Sequence, residues 1–88
     1  MRIVKNAVAG TLESSDVFVE VAPGKGVAIE LTSIVMNQFG ESIKKTIAEV
    51  VRRMGVEDVI VRANDRGALD CVIQARLETA LLRAEKES

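Results

Sequence analysis

The sequence predicts an α/β fold of the α+β kind, a two-layer sandwich in which a four-stranded mixed sheet carries two helices on one face, in the order βββαβα. Three observations lead there. The first third of the chain alternates with period two in β-branched residues, which is how strands read. Two later stretches, Met36 to Met54 and Leu69 to Ala84, carry apolar residues three or four apart, the stripe of an amphipathic helix. Between them lies one more short alternating run.

Taken in order, Ala7 to Glu13 is the first strand, with Val8, Gly10 and Leu12 sharing a face. In the second, Val17, Val19 and Val21 alternate with Phe18, Glu20 and Ala22; in the third, Val27, Ile29 and Leu31 alternate with Ala28, Glu30 and Thr32. Ser14-Ser15 separates the first pair. Pro23-Gly24-Lys25-Gly26 separates the second, and it is turn chemistry, since Pro presets φ and Gly supplies positive φ. Both breaks are too short for a parallel crossover, so the three strands are expected to form an antiparallel meander.

The first helix has the stripe Met36, Phe39, Ile43, Ile47, Val50 and Met54. Thr32 or Ser33 is the expected N-cap and Gly55 the left-handed stop. Glu41 with Lys45 and Glu49 with Arg53 have ion-pair spacing. Gly40, poor in a helix, suggests close approach to another element. Val56 to Ala63 is the fourth strand, parallel to the third because a helix joins them. The turn Asn64-Asp65-Arg66-Gly67 follows, with Asp65 a candidate cap. The second helix has the stripe Leu69, Val72, Ile73, Leu77, Ala80, Leu81 and Ala84, with Asp70 in its first turn, where the helix dipole favours an anion. The polar tail from Glu85 is expected to fray.

Length and composition fit a single domain over residues 1–88. Hydrophobic residues make up 48% and charged residues 28%; with two Phe and neither Trp nor Tyr, the core is aliphatic. A net charge of −1 without a basic patch argues against nucleic acid. No apolar run is long enough for a membrane helix, and the first residues lack a signal-like stretch. With Cys71 as the only cysteine, a cytoplasmic location is expected.

Catalytic patterns are hard to find. There is no histidine, the commonest general base and metal ligand. Cys71 therefore has no His to activate it and reads as a small buried residue. The acidic residues are dispersed, and Pro23–Gly26 lacks phosphate-loop spacing. The segment that fits its local structure worst is Thr11-Leu12-Glu13-Ser14-Ser15-Asp16. A two-residue hairpin favours Asn-Gly, Asp-Gly or Gly-X, not Ser-Ser, and it would set Glu13 against Asp16. Local rules tend to fail at functional sites. On spacing alone this is a polar, solvated loop with an exposed hydroxyl, far from the helices.

Ala7-Val8-Ala9-Gly10-Thr11-Leu12-Glu13-Ser14, followed by Asp16, resembles the modification segment of citrate lyase acyl carrier proteins, the gamma subunits of that complex. Two further segments agree: Gln38-Phe39-Gly40, and Asp65 followed by Gly67-Ala68-Leu69-Asp70-Cys71 and Ala75-Arg76-Leu77-Glu78. The resemblance runs from the N-terminus to about Arg83. It implies that Ser14 carries a covalent phosphodiester-linked prosthetic group, 2'-(5''-phosphoribosyl)-3'-dephospho-CoA, attached by a dedicated transferase. It also implies a non-catalytic carrier whose thiol presents acetyl and citryl groups to an alpha (acyl transferase) and a beta (lyase) subunit, which together split citrate to acetate and oxaloacetate. The family usually has Gly after the modified serine; this chain has Ser15. Glu13 and Asp16 would serve the attaching enzyme, position the phosphate through a bridging cation, or remain solvated turn charges. Lys25, Arg62 and Arg66 are candidates to contact the arm, with solvated surface as the plainer reading of each. The carrier of malonate decarboxylase uses the same type of arm and is the nearest alternative. A ligand-binding or regulatory α/β module and a purely structural subunit are alternatives of other classes.

Overall fold

The computed structural model describes residues 1–85. Its elements run β1 (Ala7–Gly10), β2 (Val17–Ala22), β3 (Val27–Ser33), α1 (Met36–Arg53), β4 (Val59–Asp65) and α2 (Asp70–Glu85). The predicted order βββαβα and the two-layer α+β architecture are both present. The expectation about the tail beyond Glu85 falls outside the described residues.

The strands form one sheet in the order β1-β2-β4-β3. β1 pairs antiparallel with β2, β2 antiparallel with β4, and β3 parallel with β4. The expected meander is therefore wrong at one joint: β3 does not pair with β2, because β4 inserts between them. A short connection dictates that β2 and β3 run in opposite directions, but not that they touch. Here Pro23–Gly26 spans the width of a strand and passes over the start of β4. Gly26 N–H donates to Asp58 Oδ1 at 2.7 Å, and Val59 N–H donates to the Gly26 carbonyl at 2.9 Å. Gly24 makes that passage possible, since a Cβ there would sit 2.8 Å from Ile60 Cγ1.

Burial explains why β4 is central. Val17, Val19 and Val21 of β2 and Val59 and Val61 of β4 are all 0–1% exposed on the face that meets the helices. Each such side chain contributes about 1.5–3 kcal/mol by leaving water. On β3, Val27 is exposed and Ile29 and Leu31 are half-buried, as an edge strand would be. On β1 the buried residue is Ala9, so Val8 lies on the open face. α2 packs on β1 and β2, α1 packs on β3, and the helices touch each other.

The helices keep their predicted spans with local corrections. α1 ends in a Schellman motif: Val56 N–H bonds to the Val51 carbonyl and Gly55 N–H to that of Arg52, with Gly55 at φ 69°. Its start is not capped by Thr32 or Ser33. The N-cap is Val35, which makes no side-chain cap bond; the Ser33 hydroxyl sits just before it, accepting from Val35 N–H at 3.1 Å while donating to Asp65. The Glu41–Lys45 and Glu49–Arg53 pairs do not form among the described residues. Arg53 instead reaches Glu78 of α2 at 2.6 Å, an exposed pair worth at most about 1 kcal/mol. Gly40 does not admit another element: a Cβ there would meet Met36 Sδ at 2.9 Å, one turn earlier in the same helix. The fourth strand begins at Val59 rather than Val56, which is buried in the helix stop. Cys71 is exposed rather than buried, since it lies one position off the stripe of α2.

Gly10 is the tightest backbone position. It has φ +90°, and a Cβ would lie 1.8 Å from the Val17 carbonyl oxygen. Gly10→Ala should destabilise the fold by more than about 3 kcal/mol, read as a lower urea midpoint at unchanged slope.

Candidate functional site

The stretch between β1 and β2 is longer than a two-residue hairpin. It comprises residues 11–16, and its tip is a β-turn in which Asp16 N–H donates to the Glu13 carbonyl at 3.2 Å. Ser14 and Ser15 are the central residues. Only Ser15 has positive φ, 66°, so the turn follows the type II pattern. Ser15 N–H then donates to the Arg66 carbonyl at 2.8 Å, and Arg66 N–H donates to the Asp16 carbonyl at 2.9 Å. Two residues thus oppose one, with the first left-handed, which is the G1 type of β-bulge. That position favours glycine, because a Cβ in the left-handed region costs about 1–2 kcal/mol. The glycine usual in the resembling family stands where this geometry asks for one, and Ser15 adopts the same conformation against its preference.

The turn is held from beneath by Asp16. Its carboxylate accepts from Thr11 Oγ1 at 2.6 Å, from its neighbour Val17 N–H at 2.8 Å, and from Arg76 of α2 through Nε at 3.1 Å and Nη2 at 2.9 Å. The Thr11 hydroxyl, then Arg76, then the Val17 amide hold the Asp16 pKa down at about 2, from an ordinary 3.8. Asp16 is therefore not a solvated charge repelling Glu13, and the loop is not far from the helices: α2 reaches it through Arg76. Glu13 is exposed, and its N–H bonds to Thr11 Oγ1. Ser14 is exposed at the apex. Sequence reasoning singled out Ser14 as the candidate and did not single out Arg76. The bidentate pair links residues sixty apart in the chain, and only its place in the segment Ala75–Glu78 marked it.

A second turn lies against the first. The Asp65 carboxylate, fully buried, accepts from Ser33 Oγ at 2.8 Å and from Ala68 N–H at 3.0 Å. It binds the end of β3 to the 65–68 turn rather than capping α2, whose first bonds run from Val72 and Ile73 to the Leu69 carbonyl. Beyond this turn a groove of about 460 Å³ is lined by Val35, Phe39, Ile43, Ala68 and Leu69 among others. Phe39 and Leu69, both predicted to lie on buried stripes, are 57% and 71% exposed, and Ile34 nearby is 65% exposed. Of the other two basic candidates, Arg62 is paired with Glu30 at 2.9 Å and Glu20 at 3.8 Å on the open face of the sheet. Lys25 sits in the turn beside the start of β4, at the opposite end of the sheet from Arg66.

A small α+β domain of this kind offers the exposed serines Ser14 and Ser15 on an anchored turn, and among its described residues no group of three or more acidic or cysteine side chains could hold a metal. The protein-family model described as ACP, malonate decarboxylase delta subunit (MdcD), matches residues 4–84. A citrate lyase acyl carrier protein of Serratia proteamaculans is 54% identical over 96% of this chain and 84% of its own length. One from Haemophilus influenzae is 52% identical over 100% of this chain and 93% of its own length. A chain in the crystal structure of a Pseudomonas malonate decarboxylase hetero-tetramer in complex with malonate has the same fold, with TM-score 0.78 at 19% identity over 96% of this chain and 92% of that one. The chain belongs to the acyl carrier protein family of citrate lyase and malonate decarboxylase.

The turn generates two predictions. Ser15→Gly relieves the left-handed strain, less the roughly 0.5–1 kcal/mol of backbone entropy a glycine loses. It should raise Tm by about 2–6 °C in a thermal melt. The second concerns pH. The folded-state pKa of Asp16 lies below its unfolded value, so its contribution to stability is complete above about pH 4 and is lost as pH falls towards 2. Urea titrations across that window should show a decline in the wild type that is smaller in Asp16→Asn, which starts less stable at pH 7.

Proposed function

We propose that Ser14 is the covalent attachment point of a phosphoribosyl dephospho-CoA arm, and that this chain works as the acyl carrier subunit of citrate lyase. The observation that carries the proposal is the presentation of Ser14. Its hydroxyl stands exposed on a two-residue apex whose position is fixed from outside by the Arg66 bulge and the Asp16–Arg76 pair. A group attached there points away from the core, and the rigid base keeps its origin constant. Relatives at 52–54% identity named as citrate lyase carriers favour that complex over malonate decarboxylase, where the likeness to the solved chain is 19%.

The residues at the tip suit such a group. Ser14 is free to be esterified, and replacing its hydroxyl hydrogen with a phosphodiester displaces no packed side chain from this exposed site. When attached, the arm supplies a terminal thiol that carries acyl groups as thioesters. The chain itself contributes presentation: a tethered thioester reaches successive active sites at high effective concentration without a tight encounter each time. In this reading residues 1–88 are one non-catalytic carrier domain in the cytoplasm. Its partners are the alpha subunit, which exchanges acyl groups, the beta subunit, which cleaves citrate, and the transferase that attaches the arm. The exposed apolar side chains Ile34, Phe39 and Leu69, at the same end as Ser14, support a partner closing over that end.

The chain isolated from its native host should exceed its sequence mass by the prosthetic group, and alkaline treatment should release it. Ser14→Ala should alter stability by less than about 0.5 kcal/mol, as expected for an exposed side chain, yet leave the reconstituted complex unable to cleave citrate. An unmodified chain in an active native complex, or full activity in Ser14→Ala, would sink the proposal.

A further inference from the structure

We propose that the Arg66 guanidinium holds the phosphodiester through which the arm joins Ser14. This rests on the attachment proposed above and adds a second residue to it. Arg66 is placed by its backbone: its carbonyl accepts from Ser15 N–H at 2.8 Å and its N–H donates to the Asp16 carbonyl at 2.9 Å. The residue directly across from the one following Ser14 is therefore an arginine, with an exposed side chain. Ser14 itself lies between Glu13 and the Asp16 corner, so an anion attached there would have the exposed Glu13 carboxylate as its neighbour in the turn. A cation across the bulge offsets that repulsion.

The other basic side chains of this region are already engaged. Arg76 gives its Nε and Nη2 to Asp16, whose carboxylate already balances its charge. Arg62 is bound to Glu30 and Glu20 on the open sheet face, and Arg83 Nη1 donates to the Val8 carbonyl at 2.8 Å. Lys25 belongs to the turn at the other end of the sheet. Arg66 has no ion pair among the described residues. A guanidinium offers two parallel N–H donors to a phosphate, so the contact would fix the direction in which the arm leaves the turn as well as neutralise it. Because Arg66 bonds to the turn only through its main chain, changing its side chain leaves the bulge in place.

Phosphorus NMR of the loaded carrier tests this. The arm's own diphosphate is an internal control, since it lies farther along the arm. Arg66→Gln should shift the phosphodiester resonance and narrow it by about two-fold, as the attachment gains nanosecond freedom, while leaving the diphosphate signals in place. Arg66→Lys should fall between, and Arg62→Gln should match the wild type. Salt gives a second readout. Between about 0.1 and 1 M the screening length drops from about 10 to 3 Å, so the wild-type resonance should move towards that of Arg66→Gln, whose own position stays constant. A phosphodiester signal identical in wild type and Arg66→Gln, or one moved equally by Arg62→Gln, overturns the inference while leaving the attachment intact. A chain whose mass shows no arm after treatment with the attaching enzymes removes the attachment and this inference together.

Discussion

The Asp16 carboxylate gathers donors from three parts of the chain: the Thr11 hydroxyl from the end of β1, the Val17 amide from the start of β2, and the Arg76 guanidinium from α2. These bonds set the height and tilt of the β1–β2 turn relative to the helix layer. Without them the loop would be fixed only by its own short hydrogen bonds and by the bulge at Arg66. The arrangement is tight on its inner side too. Arg76 Cδ would lie 3.4 Å from a Cβ at position 10, and the Val17 carbonyl occupies the space such an atom would need, so the guanidinium runs past the backbone of β1 where only glycine leaves room. Gly10, Asp16 and Arg76 form one mechanical unit, with Ser14 standing on it.

The sheet serves the same end. β2 and β4 are the inner strands, and β4 runs directly into the 65–68 turn. Asp65 at its end ties β3 to that turn, and Arg66 ties the turn to the Ser14 loop. The site thus sits at the end of the most buried strands, and the rigidity of the core passes to the tip through main-chain hydrogen bonds.

Much of this was legible in the sequence, for definite reasons. Period-two valines mark β2 and β4, and stripes of Ile, Leu and Val mark the helices, because burial on one face leaves that trace whatever the partners are. Strand adjacency leaves no such trace. The Pro23–Gly26 turn constrains direction, and only the register of β4 shows that β2 and β3 are held apart. Phe39 and Leu69 misled because they continue helical stripes beyond the point where the opposing layer ends. Cys71 misled because residue type was weighed above its place on the helix. At the site, Ser14 stood out as a poor hairpin residue, and the resemblance gave that oddity a meaning. The pair of Asp16 with Arg76, and the facing of Ser15 by Arg66, depend on tertiary pairing that no local pattern carries.

The span of those anchors has a consequence for how the chain is made. Arg66 and Arg76 lie far downstream of the turn they secure, with β3, α1 and β4 in between. The left-handed Ser15 is unfavourable on its own, and the contacts that hold the turn in this shape come from the end of β4 and from α2. A chain without those contacts loses the hydrogen bonds that hold the Ser14 turn in this shape. On the attachment proposed above, an enzyme that reads the shape of the turn rather than its letters would load only chains in which those contacts are in place.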